Sequence, residues 1–476
     1  MPEYPAFIIL CDLTDTAPAQ ACYRRHRDQE EKAPGDLPAS VAEFADVITT
    51  RDQALARDSA DPLTTLRDEF TLPEGVVYLD GNSLGALPRR TAARVQQTIA
   101  GEWGEGLIRS WNSAGWIDLS REIGDAIGRL VGTAPGETST GDSTSVNLFK
   151  ALSAAAALQK ADAPARTTLL SERSNFPTDL YIAESVAIAA GLKLRVVEAD
   201  DLADHLTHDV ALLMLTHVNY RSGRMHDMAE LTRIAHAAGA LTVWDLAHSA
   251  GAVPVDLHGA GADFAVGCGY KYLNGGPGAP AFVWAHPKHT ARMDREGLRQ
   301  PLSGWLGHAA PFEFTPTYRP AAGIARFVCG TPPIVAMRAL QCGLEVFGEA
   351  EARGGMAALR DKSIALTALF IERVETACAG LGLTLATPRA PAERGSQVSF
   401  AHADGYPVMQ ALIERGVVGD FRAGQAESGE AHLLRFGFTP LYTRFVDAWD
   451  GAEALAQVLA DETWREPRFG QRAAVT

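Results

Sequence analysis

The stretch Gly267-Cys-Gly-Tyr-Lys-Tyr-Leu-Asn-Gly-Gly-Pro-Gly278 places one lysine, Lys271, between an apolar run and a glycine-rich loop. The apolar run before it, Phe264-Ala-Val266, has the length and composition of a short buried strand. Upstream, an Asp245-x-x-His248 turn directly follows a second run of this kind, Leu241-Thr-Val-Trp244. Strands that end in reactive side chains are typical of α/β folds, in which ligands bind outside the carboxyl ends of parallel strands.

A lysine after one strand and a carboxylate after an earlier one are what pyridoxal 5'-phosphate (PLP) chemistry requires. The lysine amine forms a Schiff base with the cofactor aldehyde, and the carboxylate keeps the pyridine nitrogen protonated. A lysine is most often a surface residue. Here the neighbours of Lys271 are Val266, Cys268, Tyr270 and Tyr272, and apolar surroundings favour a nucleophilic amine. Lys271 and Asp245 are therefore predicted catalytic residues.

Bulk properties exclude several classes of protein. The chain has 476 residues and a net charge of −15, which argues against nonspecific binding to nucleic acid or an anionic membrane. The apolar runs are shorter than the roughly 18 residues that a membrane span needs, and we expect no signal peptide. The six cysteines are scattered without a CxxC pair, which favours a reduced, cytoplasmic protein with no disulfide framework and no metal site: Cys11, Cys22, Cys268, Cys329, Cys342 and Cys378.

Four regions are predicted along the chain. Residues 1–45 are charge-dense and rich in turn residues, as disordered extensions are. Residues 46–350 form an N-terminal segment and a large α/β domain, with helical patterning from Val41 through Phe70 and a helix that begins at Pro88. Residues 351–465 form a smaller C-terminal α+β domain, and residues 466–476 a tail. Within the large domain, short apolar strands alternate with helices, which predicts a mostly parallel sheet covered by helices on both faces.

Other candidate residues follow predicted strands. Gly141-Asp-Ser-Thr-Ser-Val-Asn147 opens a helix with several hydroxyls, so Thr144 and Ser145 are candidates for binding a phosphate; simple capping by Ser143 or Thr144 is the alternative. In Asn175-Phe-Pro-Thr-Asp179, Phe176 could stack on the pyridine ring and Asp179 could join Asp245, although such loop residues are more often structural. His248 could support Asp245, and Tyr270 could bind phosphate or move protons.

Six stretches together resemble the kynureninase family of PLP enzymes, which belongs to the aspartate aminotransferase superfamily and has fold type I. They occur in the family's order and span roughly residues 50 to 465: Tyr78-Leu-Asp-Gly-Asn-Ser-Leu-Gly85, Gly141-Asp-Ser-Thr-Ser-Val-Asn-Leu-Phe149, Asn175-Phe-Pro-Thr-Asp179, Trp244-Asp-Leu-Ala-His-Ser-Ala-Gly251, Gly267-Cys-Gly-Tyr-Lys-Tyr-Leu-Asn-Gly-Gly-Pro-Gly278 and Phe327-Val-Cys-Gly-Thr-Pro-Pro333. The first 45 residues have no counterpart in this resemblance.

The resemblance implies a role for each candidate. Lys271 is the Schiff-base lysine, and Asp245 pairs with the pyridine nitrogen. The implied cofactor-binding residues are Thr144, Ser145, Phe176, Asp179, Asp245, His248, Tyr270, Lys271, Trp305 and Thr331. Arg435 is expected to bind the substrate α-carboxylate as a two-pronged donor, while Ser83 and Trp111 face the aromatic end of the substrate.

The implied reaction is the hydrolytic Cβ–Cγ cleavage of L-kynurenine to anthranilate and L-alanine. It belongs to tryptophan degradation and can also supply NAD biosynthesis. Animal members of the family prefer 3-hydroxykynurenine and tend to carry histidine and asparagine at the positions of Trp111 and Thr331. This chain resembles bacterial members, so a preference for kynurenine is expected. A homodimer with sites at the subunit boundary is expected by resemblance alone.

Two other functions compete with this interpretation. A cysteine desulfurase or selenocysteine lyase would need a reactive, exposed cysteine, and none of the cysteines has an electropositive setting in the sequence. A non-catalytic PLP-binding regulator would bring a basic DNA-reading domain, for which no candidate helix-turn-helix is evident.

Overall fold

The computed structural model describes residues 48–424 and 429–472. The predicted extension, residues 1–45, and the end of the predicted tail lie outside the described residues. The strands of the described part are, in chain order, β1 (Phe70–Thr71), β2 (Val77–Tyr78), β3 (Leu87–Pro88), β4 (Thr138–Thr140), β5 (Thr168–Glu172), β6 (Lys193–Val197), β7 (Val210–Thr216), β8 (Leu241–Asp245), β9 (Phe264–Gly267), β10 (Phe282–Ala285), β11 (Thr384–Leu385), β12 (Gln397–Ala401), β13 (Val417–Val418), β14 (Asp420–Arg422) and β15 (Leu433–Gly437).

The described part also contains α-helices of very different lengths. In chain order they are α1 (Arg51–Ala60), α2 (Thr91–Gln97), α3 (Ser110–Ser113), α4 (Leu119–Leu130), α5 (Thr144–Asp162), α6 (Pro177–Ala190), α7 (Leu202–His205), α8 (Met228–Ala238), α9 (Pro287–Glu296), α10 (Ile334–Glu351), α11 (Gly355–Ala377), α12 (Gly405–Glu414) and α13 (Phe445–Ala460).

The central sheet confirms the predicted α/β fold. Its seven strands lie in the order β4-β10-β9-β8-β7-β5-β6. The strands from β6 to β9 pair in parallel, and β10 runs antiparallel to β9 and β4. Parallel strands are buried on both faces, which is why β7 is apolar along most of its length and fully buried. Alternate residues of each strand enter different cores: Leu212 packs with α5 and α6 on one face, and Leu213 with α8 on the other.

A second sheet, in the order β11-β12-β15-β14, is antiparallel and packs against α11, α12 and α13 around its own core. The helix α1 joins this core through Ala54 and packs on α13. Asp58 of α1 accepts hydrogen bonds from the backbone N–H groups of Phe445 (2.6 Å) and Val446 (3.0 Å), which caps the first turn of α13. Beyond the small domain, Phe469 of the predicted tail is buried against it.

Some predicted element boundaries were wrong. Pro88 does not open a helix; it lies in β3, opposite Phe70 of β1, and α2 begins at Thr91. Residues 41–47 of the predicted helical stretch lie outside the described residues; in the rest of it, α1 begins at Arg51, where Thr50 and Gln53 form a capping box, and ends at Ala60, before Phe70. The elements β4, α4 and α9 have no counterpart among the predicted elements. None of the helices in the described ranges is long and apolar enough to span a membrane.

Candidate active site

The carboxyl ends of the parallel strands and the start of α5 surround one pocket. Eight of the predicted residues line it: Thr144, Ser145, Phe176, Asp179, Asp245, His248, Tyr270 and Lys271. Ser143, Thr216, Tyr220 and Ala247 complete its wall. The strands β5, β7, β8 and β9 each deliver part of this set through the loop that follows them, as expected for ligand sites in parallel sheets.

Lys271 lies in the turn after β9, with its amine inside the pocket. Its Nζ is 2.9 Å from Nε2 of His248, 6.0 Å from the centre of the Phe176 ring and 5.7 Å from that of Tyr270. The loop at Gly85 holds this turn from outside, since its N–H donates to the carbonyl of Tyr270 at 2.8 Å. A Cβ at Gly85 would lie 2.3 Å from the carbonyl oxygen of Lys271, so only glycine allows this approach.

His248 is held as a neutral imidazole in one tautomer. Burial, followed by the positive charge of Lys271, keeps the pKa of His248 well below its usual range. Its Nδ1 lies 3.1 Å from Oε1 of Gln397, whose amide Nε2 donates to the carbonyls of Asn219 (3.2 Å) and Tyr220 (3.1 Å). With Oε1 turned to the histidine, Nδ1 carries the proton and donates. Nε2 is therefore free to accept a hydrogen bond from Lys271.

Two buried carboxyl groups form the floor of the pocket. Burial and the neighbouring Asp245 raise the pKa of Asp179 well above its usual value. Burial also raises the pKa of Asp245, whose Oδ1 accepts the N–H of Ala247 at 2.8 Å. Thr216 donates towards Asp179 Oδ2 at 3.3 Å. Adjacent buried carboxyls cannot both be ionised cheaply without a cation, so this floor is suited to a protonated ring nitrogen.

The opposite end of the pocket has the features of a phosphate site. Ser143 caps α5 by accepting the N–H of Val146 at 3.3 Å, so the predicted capping role is real. The remaining N–H groups of the first turn and the Thr144 and Ser145 hydroxyls stay available at the positive end of the helix dipole. The buried side chain of Lys150 supports this loop, since its Nζ donates to Oδ2 of Asp142 at 2.5 Å and to the carbonyl oxygen of Phe327 at 2.6 Å.

Tyr270 is a protonated donor in the pocket wall. Burial raises the pKa of its hydroxyl above the ordinary value of a tyrosine. At neutral pH the group therefore keeps its proton and can donate it or a hydrogen bond.

Arg435 and Ser83 lie together beside the pocket in a network of buried charges. Arg435 Nη1 donates to the carbonyl of Tyr220 at 2.7 Å, and its Nη2 donates to Ser83 Oγ at 2.6 Å and to the carboxylate of Asp420. Asp420 is also paired with Arg422 at 2.6 Å. Tyr220 is the link to the Lys271 pocket, because it lines that pocket and its ring lies 5.2 Å from that of Phe176.

Besides Ser83 and Arg435, which lie beside the Lys271 pocket, three further predicted residues do not line it. Trp111 and Trp305 pack edge to face with their ring centres 5.9 Å apart. Thr331 is exposed, shortly before α10. Within one chain, the structure therefore brings together the lysine, the acids and the phosphate loop but not these three.

Sequence reasoning missed several residues of the site: Thr216, Tyr220, Gln397, Asp420 and Arg422. Two of them had a usable signal, because Thr216 ends the apolar strand β7 and Tyr220 lies in the polar loop after it. The other three belong to the small sheet, where no local pattern ties them to Lys271.

The residues of the pocket fit PLP. The lysine amine matches the aldehyde of the cofactor, and the acid pair, which has no second cation in the described structure, matches its pyridine nitrogen. The aromatic ring matches the ring of the cofactor, and the helix N-terminus matches its phosphate. The described cysteines, by contrast, offer no reactive thiolate, because burial raises the pKa of the Cys268, Cys329, Cys342 and Cys378 thiols. Cys11 and Cys22 lie outside the described residues. No group of three or more potential metal ligands occurs within the described ranges.

Comparison with known proteins agrees with this site. The structure resembles the apo cysteine desulfurase of Thermococcus onnurineus NA1 with a TM-score of 0.67 at 19% identity, covering 83% of this chain and 98% of that one. It also resembles a C-DES mutant with glycine covalently linked to its PLP cofactor, with a TM-score of 0.66 at 18% identity over 83% of this chain and 99% of the other. The fold and the pocket thus define a PLP-dependent enzyme of fold type I.

The sequence comparisons are more specific. Residues 359–455 match the family model described as the kynureninase C-terminal domain. A protein of Burkholderia pseudomallei (strain 1106a) named kynureninase is 56% identical over 432 residues, which is 90% of this chain and all of that protein. The chain belongs to the kynureninase family.

Proposed function

We propose that this protein hydrolyses L-kynurenine to anthranilate and L-alanine, with weaker activity on 3-hydroxykynurenine. The observation that carries the proposal is the Lys271 pocket with its buried acid pair, in a chain of the kynureninase family. The overall change adds one water: the Cβ–Cγ bond breaks, the hydroxyl goes to the aryl carbonyl carbon and a proton goes to Cβ. The enzyme is a hydrolase acting on a carbon–carbon bond of a ketone.

Each residue of the pocket has a proposed task in binding the cofactor. Lys271 tethers PLP, Asp245 and Asp179 hold its ring nitrogen, Phe176 covers the ring, and Thr144 and Ser145 bind its phosphate. When bound, PLP supplies a ring that withdraws electrons from the carbon bearing the substrate's amino group. His248 adds no charge beside the ring, because burial keeps it neutral.

The proton transfers are assigned to two side chains. Lys271 removes the proton from the substrate α-carbon, for which its amine must be unprotonated. His248 accepts the amine's hydrogen bond and so orients its lone pair. Tyr270, which keeps its proton at neutral pH, donates to the carbon released by the bond cleavage. The buried surroundings exclude bulk water and strengthen each of these interactions.

A homodimer completes this proposal. Trp305 and Thr331 are expected to reach the site of the partner subunit, since neither lines the Lys271 pocket of its own chain. Support comes from a large apolar cavity at the surface, lined in part by Leu87, Trp103 and Val335. Trp103 is 59% exposed, which is unusual for a tryptophan outside an interface. Trp111 would then face the aromatic end of the substrate.

Two further assignments belong to the same proposal. The large domain ends near residue 350 and the small domain covers residues 351–465, which is supported by the change of core between Leu359 and Leu366. A cytoplasmic location is supported by the four described cysteines, which are free thiols.

One experiment tests the function directly. The PLP-loaded protein is mixed with L-kynurenine and anthranilate is followed by its fluorescence. The Lys271→Ala variant should release none, while Lys160→Ala, which removes an exposed lysine of α5, should match the wild type. Sulfide release from cysteine that is faster than anthranilate release would instead favour the desulfurase alternative. Cofactor binding without turnover of either substrate would favour the regulator.

A further inference from the structure

The predicted carboxylate anchor, Arg435, has few donors left for a ligand. A guanidinium carries five N–H groups. Both N–H groups of Nη2 are used, by Ser83 and by Asp420, and Nη1 donates to the carbonyl of Tyr220. With the Asn82 amide oriented to satisfy its neighbours, Asn82 Oδ1 accepts from Arg435 Nε at 3.0 Å. One N–H remains, which is too few for a two-pronged grip on a carboxylate.

A second arginine in the same network has donors to spare. Arg422 Nη2 pairs with Asp420 at 2.6 Å. Its Nε is buried and has no hydrogen-bond partner among residues 48–424 and 429–472. A buried N–H without a partner destabilises the protein, and a ligand oxygen that accepts from it would remove that cost. The Arg422 side chain is 35% exposed, so a ligand can reach it.

The register of the small sheet places the two arginines around one acid. Asp420 of β14 is opposite Arg435 of β15. Arg422 is two residues along β14 and therefore on the same face as Asp420. Both guanidinium groups lie close enough to His248, which lines the Lys271 pocket, for their positive charges to help lower its pKa.

The charge count of this network calls for an anion. Asp80 is half-buried beside Asp420, and its desolvation, followed by that neighbouring charge, raises the pKa of Asp80 to about 7. With Asp80 protonated, the two arginines face a single ionised carboxylate among the described residues, that of Asp420, so one positive charge is unbalanced within this part of the chain. A buried unbalanced charge is costly, and a bound carboxylate would balance it.

We propose that Arg422 is a second donor for the α-carboxylate of the substrate, and that Asp420 is the positioning residue that holds Arg422 and Arg435 on either side of it. This rests on the proposed function, because it concerns the α-amino acid part of kynurenine. Arg435 then supplies its one remaining N–H, and Arg422 supplies the donors that Arg435 lacks. Asp420 itself touches neither the substrate nor the reacting atoms.

The test uses two probes that divide the substrate. L-Alanine carries the α-amino acid part without the aryl group, and 2-aminoacetophenone carries the aryl ketone without the carboxylate. Their dissociation constants are measured by calorimetry on the PLP-loaded wild type and on Arg422→Gln. L-Alanine should bind the variant about ten- to a hundredfold more weakly, the range for charge-assisted hydrogen bonds, and 2-aminoacetophenone should bind equally well to both proteins.

Turnover supplies a second readout. In Arg422→Gln, KM for L-kynurenine should rise by a similar factor while kcat changes less than about threefold, since the contact is made in both ground and transition states. Arg422→Lys should restore part of the affinity. Arg465→Gln, which removes an arginine that is 59% exposed, is the matched control.

Three results would overturn the proposal: no binding of L-alanine to the wild type, equal weakening of both probes, or a loss of kcat with unchanged L-alanine affinity. A folding defect is excluded if Arg422→Gln melts like the wild type. A wild-type protein that binds L-alanine through Arg422 but releases no anthranilate would reject the proposed function and leave this inference standing.

Discussion

The amine of Lys271 donates a hydrogen bond to Nε2 of His248 across 2.9 Å, and the histidine can accept it only because Gln397 fixes its tautomer. Gln397 is the first residue of β12 in the small sheet, whereas Lys271 follows β9 in the large one. A residue of the small sheet thus determines which ring nitrogen of His248 carries the proton. This arrangement keeps a neutral base beside the amine that carries the chemistry.

Replacing Gln397 by glutamate should make the imidazole of His248 positively charged instead of neutral. A carboxylate next to Nδ1 would raise the pKa of His248, so the ring would take a second proton and lose its acceptor at Nε2. We expect Gln397→Glu to lower kcat/KM for L-kynurenine at least about tenfold at pH 7, and to move the acidic limb of the pH profile upward. Gln457→Glu, at an exposed position of α13, is the control. An unchanged profile in Gln397→Glu would show that the tautomer has no role.

The acid pair predicts how the cofactor-free protein responds to pH. Burial and Asp245 raise the folded-state pKa of Asp179 above its unfolded value, so the neutral form favours folding. This contribution to the free energy of unfolding is present at low pH and is lost as the pH rises through the folded-state pKa. Relative to the wild type, cofactor-free Asp179→Asn should therefore gain stability as the pH rises above about 4, the unfolded-state pKa of an aspartate.

Urea titrations of both proteins at several pH values measure this difference. Saturating PLP should shrink it, because the protonated ring nitrogen balances the ionised acid. The control is Asp68→Asn, which removes an exposed carboxylate in the short 3₁₀ helix Thr64–Glu69 and should show no such trend. A difference that is constant across the pH range would contradict the raised pKa.

Asp80 predicts a pH dependence of substrate binding. Burial followed by Asp420 raises the pKa of Asp80 to about 7, so the group is neutral below that pH and negative above it. The added negative charge weakens attraction between the two arginines and a substrate carboxylate. KM for L-kynurenine should rise several-fold between about pH 6 and pH 8.5, and the Asp80→Asn variant should keep a flatter, lower KM over that range. Initial rates at graded substrate concentrations provide the comparison, and parallel KM profiles in the two proteins would count against it.

The contrast between the large and small domains explains which parts of the site were predictable. Lys271, Asp245 and Asp179 each follow an apolar strand, and strand ends in a parallel sheet meet at one edge, so local patterns place these residues together. Asp420 and Arg422 lie on β14, a three-residue strand overlooked in the sequence, and only its pairing with β15 brings Asp420 opposite Arg435. Contacts of that kind depend on tertiary packing, which no window of sequence records.

Other misses have equally specific causes. Pro88 has the usual signature of a helix start, yet its pairing with Phe70 makes it part of β3. Local propensity is outweighed there by a tertiary contact. Trp305 and Thr331 lie outside the Lys271 pocket of their own chain, and a resemblance in sequence does not say which copy of the chain a residue serves.

Substrate preference is expected to follow from Trp111 and Thr331. A bulky apolar ring and a small hydroxyl offer no matched partner for an added 3-hydroxyl group, so kcat/KM should be higher for L-kynurenine than for 3-hydroxykynurenine. The double substitution Trp111→His and Thr331→Asn should shift the ratio towards 3-hydroxykynurenine by about ten- to a hundredfold, the range for a newly satisfied polar group. Competition between the two substrates in one reaction measures the ratio. A wild type that already prefers 3-hydroxykynurenine would refute the assignment.

The proposed dimer predicts that two inactive variants restore each other. Lys271→Ala lacks the lysine, and a Trp305→Ala, Thr331→Ala double variant lacks the residues offered to the partner subunit. In a mixed dimer, one site combines Lys271 of one subunit with Trp305 and Thr331 of its partner, all from unmutated positions, while the other site carries every defect. Random exchange of equal amounts makes half of the dimers mixed, so activity should recover to about a quarter of the wild-type value. Anthranilate release is measured after refolding the two variants together and after mixing them without exchange, which should give no recovery. If these residues served the pocket of their own chain, a mixed dimer would contain no intact site and co-refolding would restore nothing.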